Sequence, residues 1–192
     1  MCEKTLANLL TRLRGSTSAQ HRDLDELITE SQISESFESY LDYLRRFHTA
    51  YQQISLGWSW SSFDEAGLPE MNARRQRYDD LADDLKHMGV KVDPHRYEGE
   101  APSDGLNSKS VGELYVLEGS IHGGTVILKS LRKHGHGDLP NKFLTGFGIN
   151  NRLMWIQFCE WLNTLQQSAY CADEVICGAK EAFNIFTENF SE

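Results

Sequence analysis

Residues 114–124 read Leu-Tyr-Val-Leu-Glu-Gly-Ser-Ile-His-Gly-Gly, an apolar run carrying three glycines inside a helical pattern from Ser110 to Lys133. Each glycine in a helix interior costs about 0.8–1.0 kcal/mol relative to alanine, so three cost roughly 2–3 kcal/mol. Two arrangements offset such a cost: a close crossing by another helix, or a ligand lying against bare backbone. Spacing alone leaves both open. Gly119 and Gly123 are four apart and share a face of the helix. His122 lies about 100° around the helix from Gly123, which is expected to turn it away from that face.

The N-terminal segment carries apolar residues at Leu6, Leu9, Leu10, Leu13, Leu24, Leu27 and Ile28, at the intervals of a helical stripe. Gly15, Ser16 and Thr17 interrupt it, and Ser16 or Thr17 is suited to cap a new helix. Continuing from Thr17 in steps of four, three and four gives His21, Leu24 and Ile28, so His21 is expected on the core side. A histidine on an apolar face is more often a satisfied core residue than a ligand, and His21 alone decides nothing.

Further helices are expected from Ser36 to Leu56, with Phe37, Tyr40, Leu41, Leu44, Phe47, His48 and Tyr51 inward, and from Arg74 to Met88, with Tyr78, Leu81 and Leu85 inward. Two more run from Asn151 to Leu165, a stretch whose Trp155 and Trp161 read as structural, and from Ala172 to Phe190. Connectors fall at Gly57–Pro69, at Asp93–Asn107 with its two prolines and two glycines, at Lys133–Pro140 and at Phe143–Phe147. No segment alternates with period two. The expectation is a single all-α domain over residues 1–192, of roughly seven or eight helices.

A net charge of −9 argues against a partner that coats nucleic acid, whose phosphates would be repelled. No stretch is apolar for long enough to span a membrane. Met1–Arg14 is amphipathic rather than an apolar leader. Cys2, Cys159, Cys171 and Cys177 lack zinc-site spacing, which leaves reduced thiols in the cytoplasm as the expectation. His134 and His136 form an H-x-H in a glycine-rich linker and read as exposed loop residues.

Two segments carry a resemblance to a known family. Leu13-Arg14-Gly15-Ser16-Thr17-Ser18-Ala19-Gln20-His21-Arg22-Asp23-Leu24-Asp25 resembles the first-helix signature of haem oxygenases, in which a threonine stands four residues before the proximal iron ligand. Leu114–Gly124 resembles the distal helix of the bacterial members, especially those supplying biliverdin to phytochromes. Arg77–Leu85 and Lys180-Glu181-Ala182-Phe183 with Phe190 are similar to further family segments, in the same order along the chain.

The resemblance implies haem, both cofactor and substrate, between a proximal helix and a glycine-rich distal helix, with His21 as the iron ligand. It implies Thr17, Tyr115, Gly119, Gly123, Gly124, Phe183 and Phe190 around the haem. Gly119, Ser120 and Gly123 would shape the site where O2 reacts. Ser120 replaces the aspartate of many animal-type enzymes, and its hydroxyl holds water without a fixed charge. His122 departs from the usual bacterial leucine, and its ligation of iron is the lesser alternative to facing away. Propionates need cations, for which Arg14 and Lys133 are the candidates, although Lys129, Arg132 and Lys133 also suit a helix C-terminus. Phe183, Phe186 and Phe190, like Phe143 and Phe147, suit ordinary core packing equally well.

The implied reaction cleaves haem with O2 to biliverdin, carbon monoxide and ferrous iron. The G-x-x-x-G-G run lies within a helix rather than after a strand, so it is no nucleotide motif. Electrons would come from a ferredoxin or a flavoprotein reductase, and a phytochrome is a candidate acceptor of the product. A non-degrading haem sensor or carrier is the alternative on the same fold. A haem-free di-metal oxidase requires Glu-x-x-His motifs, and the sequence has none.

Overall fold

Glycine decides how the central helices meet. The computed structural model describes residues 8–92, 106–165 and 170–191. Its longest helix, α5 (Ser108–Lys133), crosses the last helix, α8 (Ala172–Ser191), where two backbones nearly touch. A Cβ added at Gly112 would collide with the Val175 carbonyl, and one at Gly178 with the Lys109 carbonyl. No larger residue fits at either place without moving a helix. The close helix crossing that the 119–124 run left open therefore lies elsewhere, at Gly112 and Gly178.

Around this crossing the chain folds as helices alone, with no strand among the described residues. α1 (Leu9–Glu30) and α2 (Phe37–Ile54) pack on α8, while α6 (Lys142–Thr145) and α7 (Asn151–Leu165) pack on α5. α1 and α5 both lie along α8 but make little direct contact with each other. The short α3 (Trp60–Glu65) leads into α4 (Met71–His87), and a single 3-10 turn, Gly148–Asn150, leads into α7. Phe47 joins α2 to its neighbours, with its ring centroid 4.7 Å from that of Phe143 and 4.9 Å from that of Phe186. Tyr51 and Tyr78 stack at 4.3 Å between α2 and α4.

The all-α expectation holds, with differences at several boundaries. α1 runs unbroken through Gly15, capped by the Asn8 side chain rather than by Ser16 or Thr17. Gly15 is exposed and meets no other group. Its propensity cost is too small to end a helix that buries Leu9, Leu13, Thr17 and Leu24 on one side. α4 begins three residues before Arg74. The Gly57–Pro69 connector contains α3, which forms because Trp58, Trp60 and Phe63 bury themselves together. Of the loop expected at 93–107, residues 93–105 lie outside the described part of the chain, as does Leu6. No described helix is long and apolar enough to cross a membrane.

Gly112→Ala is expected to lower stability by about 1–3 kcal/mol through overpacking. Gly15→Ala is expected to raise it by up to about 1 kcal/mol. Urea midpoints of the two variants check this contrast; equal stabilisation by both would contradict the close crossing.

Candidate functional site

Leu13, Thr17 and Leu24 form the buried stripe of α1, and His21 stands between the last two. Yet its side chain is 63% exposed, so the expectation that His21 is enclosed by the core is corrected. The helical spacing is right, but no neighbouring helix closes over that position. On its flank the Phe183 ring lies 5.8 Å away, centroid to centroid. His21 Nδ1 lies 2.9 Å from Asp25 Oδ2, one turn further along α1. With Nδ1 as the donor, the ring keeps its lone pair on Nε2. That is the tautomer of a metal ligand oriented by a carboxylate.

On α5, Tyr115, Gly119, His122, Gly123 and Val126 fall in steps of four, three, one and three and make one stripe. Tyr115 is within hydrogen-bonding reach of Thr17 and Arg14, which ties α5 to α1; burial raises its pKa and these two partners oppose the shift. A Cβ at Gly119 would meet only the Trp155 ring, at 3.9 Å, and one at Gly123 would meet nothing within 4 Å. Gly124 differs, since a Cβ there would press on the Leu144 backbone at 3.4 Å. Gly124 thus serves the packing of α6, Gly119 is covered by the Trp155 ring, and Gly123 is the glycine that keeps backbone open.

A surface cleft of about 560 Å³ lies between α1, α5 and α7. Leu10, Trp155 and Ile156 give it apolar walls, and Arg14 and Arg152 supply two positive charges against the one negative charge of Glu160. Its size is in the range of small-molecule sites. His122 lines this cleft, with its ring edge-on to Trp155 at 5.4 Å and 84°. Burial and Arg14 lower its pKa, favouring the neutral imidazole.

Beneath the stripe, two arginines of α4 grip α5. Arg74 and Arg77 are buried on the same side of α4 as Tyr78, Leu81 and Leu85. Arg74 pairs with the fully buried Glu118, and Arg77 donates to the Leu117 carbonyl at 3.2 Å and to Ser120 Oγ at 3.0 Å. Burial raises the pKa of Glu118, against the opposing pull of Arg74 and Arg77. The Ser120 hydroxyl donates to the Leu117 carbonyl at 2.6 Å. Its proton is therefore committed to the helix backbone and its oxygen to Arg77, on the α4 side of α5.

The structure brings Arg14, Thr17 and Tyr115 together, and sets His21 beside Phe183. Lys133 is not brought in: it ends α5, about 21 Å along the helix axis from Gly119 at 1.5 Å per residue. Phe190 packs on Tyr43 of α2 at 5.6 Å and belongs to the core. Arg152, Trp155, Arg74 and Glu118 were missed by sequence reasoning. Arg74 and Arg77 do continue the inward stripe of Tyr78, Leu81 and Leu85, and Glu118 is a lone charge in an apolar run. His134 and His136 contact backbone carbonyls of Ser130 and Glu35, and no group of three metal-ligating side chains occurs among the described residues.

An imidazole paired through Nδ1 with a carboxylate, a helix left open at Gly123 and an apolar-walled cleft with two arginines mark a helical protein with room for a large planar ligand. The chain belongs to the haem oxygenase family, whose model, Heme oxygenase, matches residues 7–192. It is also similar to a solved structure, the NO- and CO-bound heme oxygenase from Neisseria meningitidis. Identity is 29% with a TM-score of 0.71, and the match covers 96% of this chain and 92% of that one. None of the curated proteins matches. Family and structural match together support haem degradation by an oxidoreductase over haem binding without turnover.

Gly123→Ala is expected to stabilise the haem-free protein by up to about 1 kcal/mol, since nothing opposes the new methyl group. Gly123→Leu should fold equally well yet bind haemin about tenfold more weakly, or worse, a loss of 1.4 kcal/mol. Thermal melts and haemin titrations separate the two effects; full affinity in Gly123→Leu would remove this face from the site.

Proposed function

We propose that this protein, as a single domain, opens the haem ring with O2 and externally supplied electrons, releasing biliverdin, carbon monoxide and ferrous iron. The observation that carries the reading is His21, exposed on the buried stripe of its helix with Nδ1 bound to Asp25. Haem, when bound, supplies the iron at which O2 is reduced and the ring carbon that is attacked. The chain's own residues bind, orient and shield. His21 Nε2 holds the iron, and Asp25 fixes its tautomer and raises its basicity. Gly123, and Gly119 beside Trp155, would offer a bound haem little side-chain bulk on α5. Arg14 and Arg152 attract the propionates by charge-assisted hydrogen bonds. Trp155, Ile156 and Phe183 cover apolar parts of the ring and exclude water.

Ser120 takes a smaller part than its place in the sequence suggested. Its committed hydroxyl holds the α5 backbone beside Gly119, and Lys133 is not part of the site. Neither redox partner nor product acceptor has a visible counterpart in the fold. A ferredoxin or a flavoprotein reductase fits the absence of a nucleotide motif from the sequence, and a phytochrome is the proposed acceptor on the likeness of Leu114–Gly124 alone. Free thiols at Cys159, Cys171 and Cys177 support a reducing cytoplasm as the compartment.

The test is single turnover of the purified haemin complex with ascorbate or a ferredoxin system under air. Loss of the Soret band, a rising biliverdin band and carbon monoxide captured by ferrous myoglobin are expected. A Soret band that persists through reduction and reoxidation would mark a haem carrier instead.

A further inference from the structure

Arg74 does more than neutralise a buried charge. It is 0% exposed, and its planar fork reaches three segments that are distant in sequence. Nε donates to the Pro69 carbonyl at 2.8 Å, Nη1 pairs with Glu118, and Nη2 donates to the Met154 carbonyl at 2.8 Å. The guanidinium carbon also lies 5.7 Å from the centre of the Phe158 ring, one turn along α7.

What stands next to each anchor is informative. Glu118 immediately precedes Gly119, and Met154 immediately precedes Trp155. Trp155 is the ring that a Cβ on Gly119 would touch at 3.9 Å, and it is also the ring against which His122 stands edge-on. One buried cation thus holds, from behind, the residues next to Gly119 and to Trp155, the second of which lines the cleft. Stability alone is a poor explanation for such a pair. Burying two charges costs several kcal/mol per ion, and well-packed apolar residues of similar volume often do as well or better. A fixed geometry is what the apolar replacement lacks.

We propose that Arg74 is a positioning residue for the cleft: by binding the Glu118 carboxylate and the Met154 carbonyl at once, it sets how Trp155 lies over Gly119. This deepens the haem reading, because Trp155 is a wall of the cleft and stands edge-on to His122 there. Arg77, three residues on, is a separate grip on Leu117 and Ser120 and leaves the α7 side untouched.

The test compares Arg74→Lys and the double variant Arg74→Met/Glu118→Leu with the wild-type full chain. Lysine keeps the charge but cannot serve three acceptors in a plane. The double variant removes both charges at similar volume and is expected to melt within a few degrees of wild type. Two readouts are taken. With 5-fluorotryptophan incorporated and Trp155 assigned through Trp155→Phe, the fluorine resonance of Trp155 in the ligand-free protein should shift or split in both variants. In the ferrous haem complex with carbon monoxide as the probe, the C–O stretching band should broaden or divide. If Arg74→Lys fails to fold, the double variant carries the comparison. A stable double variant with the wild-type fluorine resonance and C–O band overturns the proposal and leaves Arg74 a purely structural residue. A wild-type protein that binds no haemin refutes the haem reading, and the fluorine measurement then decides the proposal by itself.

Discussion

At Gly112 the backbone of α5 lies so near the Val175 carbonyl that no side chain fits, while at Gly123 the same helix meets nothing. Both residues weaken the helix by about the same amount, close to 1 kcal/mol each. Only at Gly112 does the protein's own packing offset that cost. The contrast separates a position of α5 that is locked onto α8 from one that is left bare, next to Gly124, which packs on Leu144 of α6.

Electrostatics refine what packing lays out. Glu118 and Arg74 form a fully buried pair directly behind Gly119, and Arg77 fastens the next turn through the Leu117 carbonyl and Ser120. Further along α1, beyond the residues that line the cleft, His21 is oriented by Asp25 within the same helix. The α5 wall is thus made rigid from behind, and the His21 ring is set by a local pair. Arg14 and Arg152 place positive charge at the cleft in a chain whose net charge is −9. A planar dianion with an apolar body matches that combination of charge and shape.

Much of this was legible in the sequence, for identifiable reasons. Long stripes of period 3.6 marked α2, α7 and α8 nearly to the residue, because packing and pattern agree there. His21 and the 119–124 glycines stood out as residues whose local cost or spacing needed an explanation. What stayed hidden depended on tertiary distance. Periodicity put His21 on the core side, since it cannot tell a stripe that meets another helix from one left exposed. Gly124 and Gly123 look alike in sequence and differ only in whether Leu144 lies opposite. Lys133 was drawn in by charge alone, and helix length excludes it from the cleft. Arg74 and Glu118 are 44 residues apart, and nothing local reveals that they meet.

The central claim is that His21 Nε2 is the protein's bond to the haem iron, and the ferrous haem complex reports on that bond directly. Resonance Raman spectra of the five-coordinate ferrous complex should show an iron–imidazole stretching band in wild type. His21→Ala should abolish it, and added imidazole should restore it. An unchanged band in His21→Ala would place the iron on another residue and contradict the account.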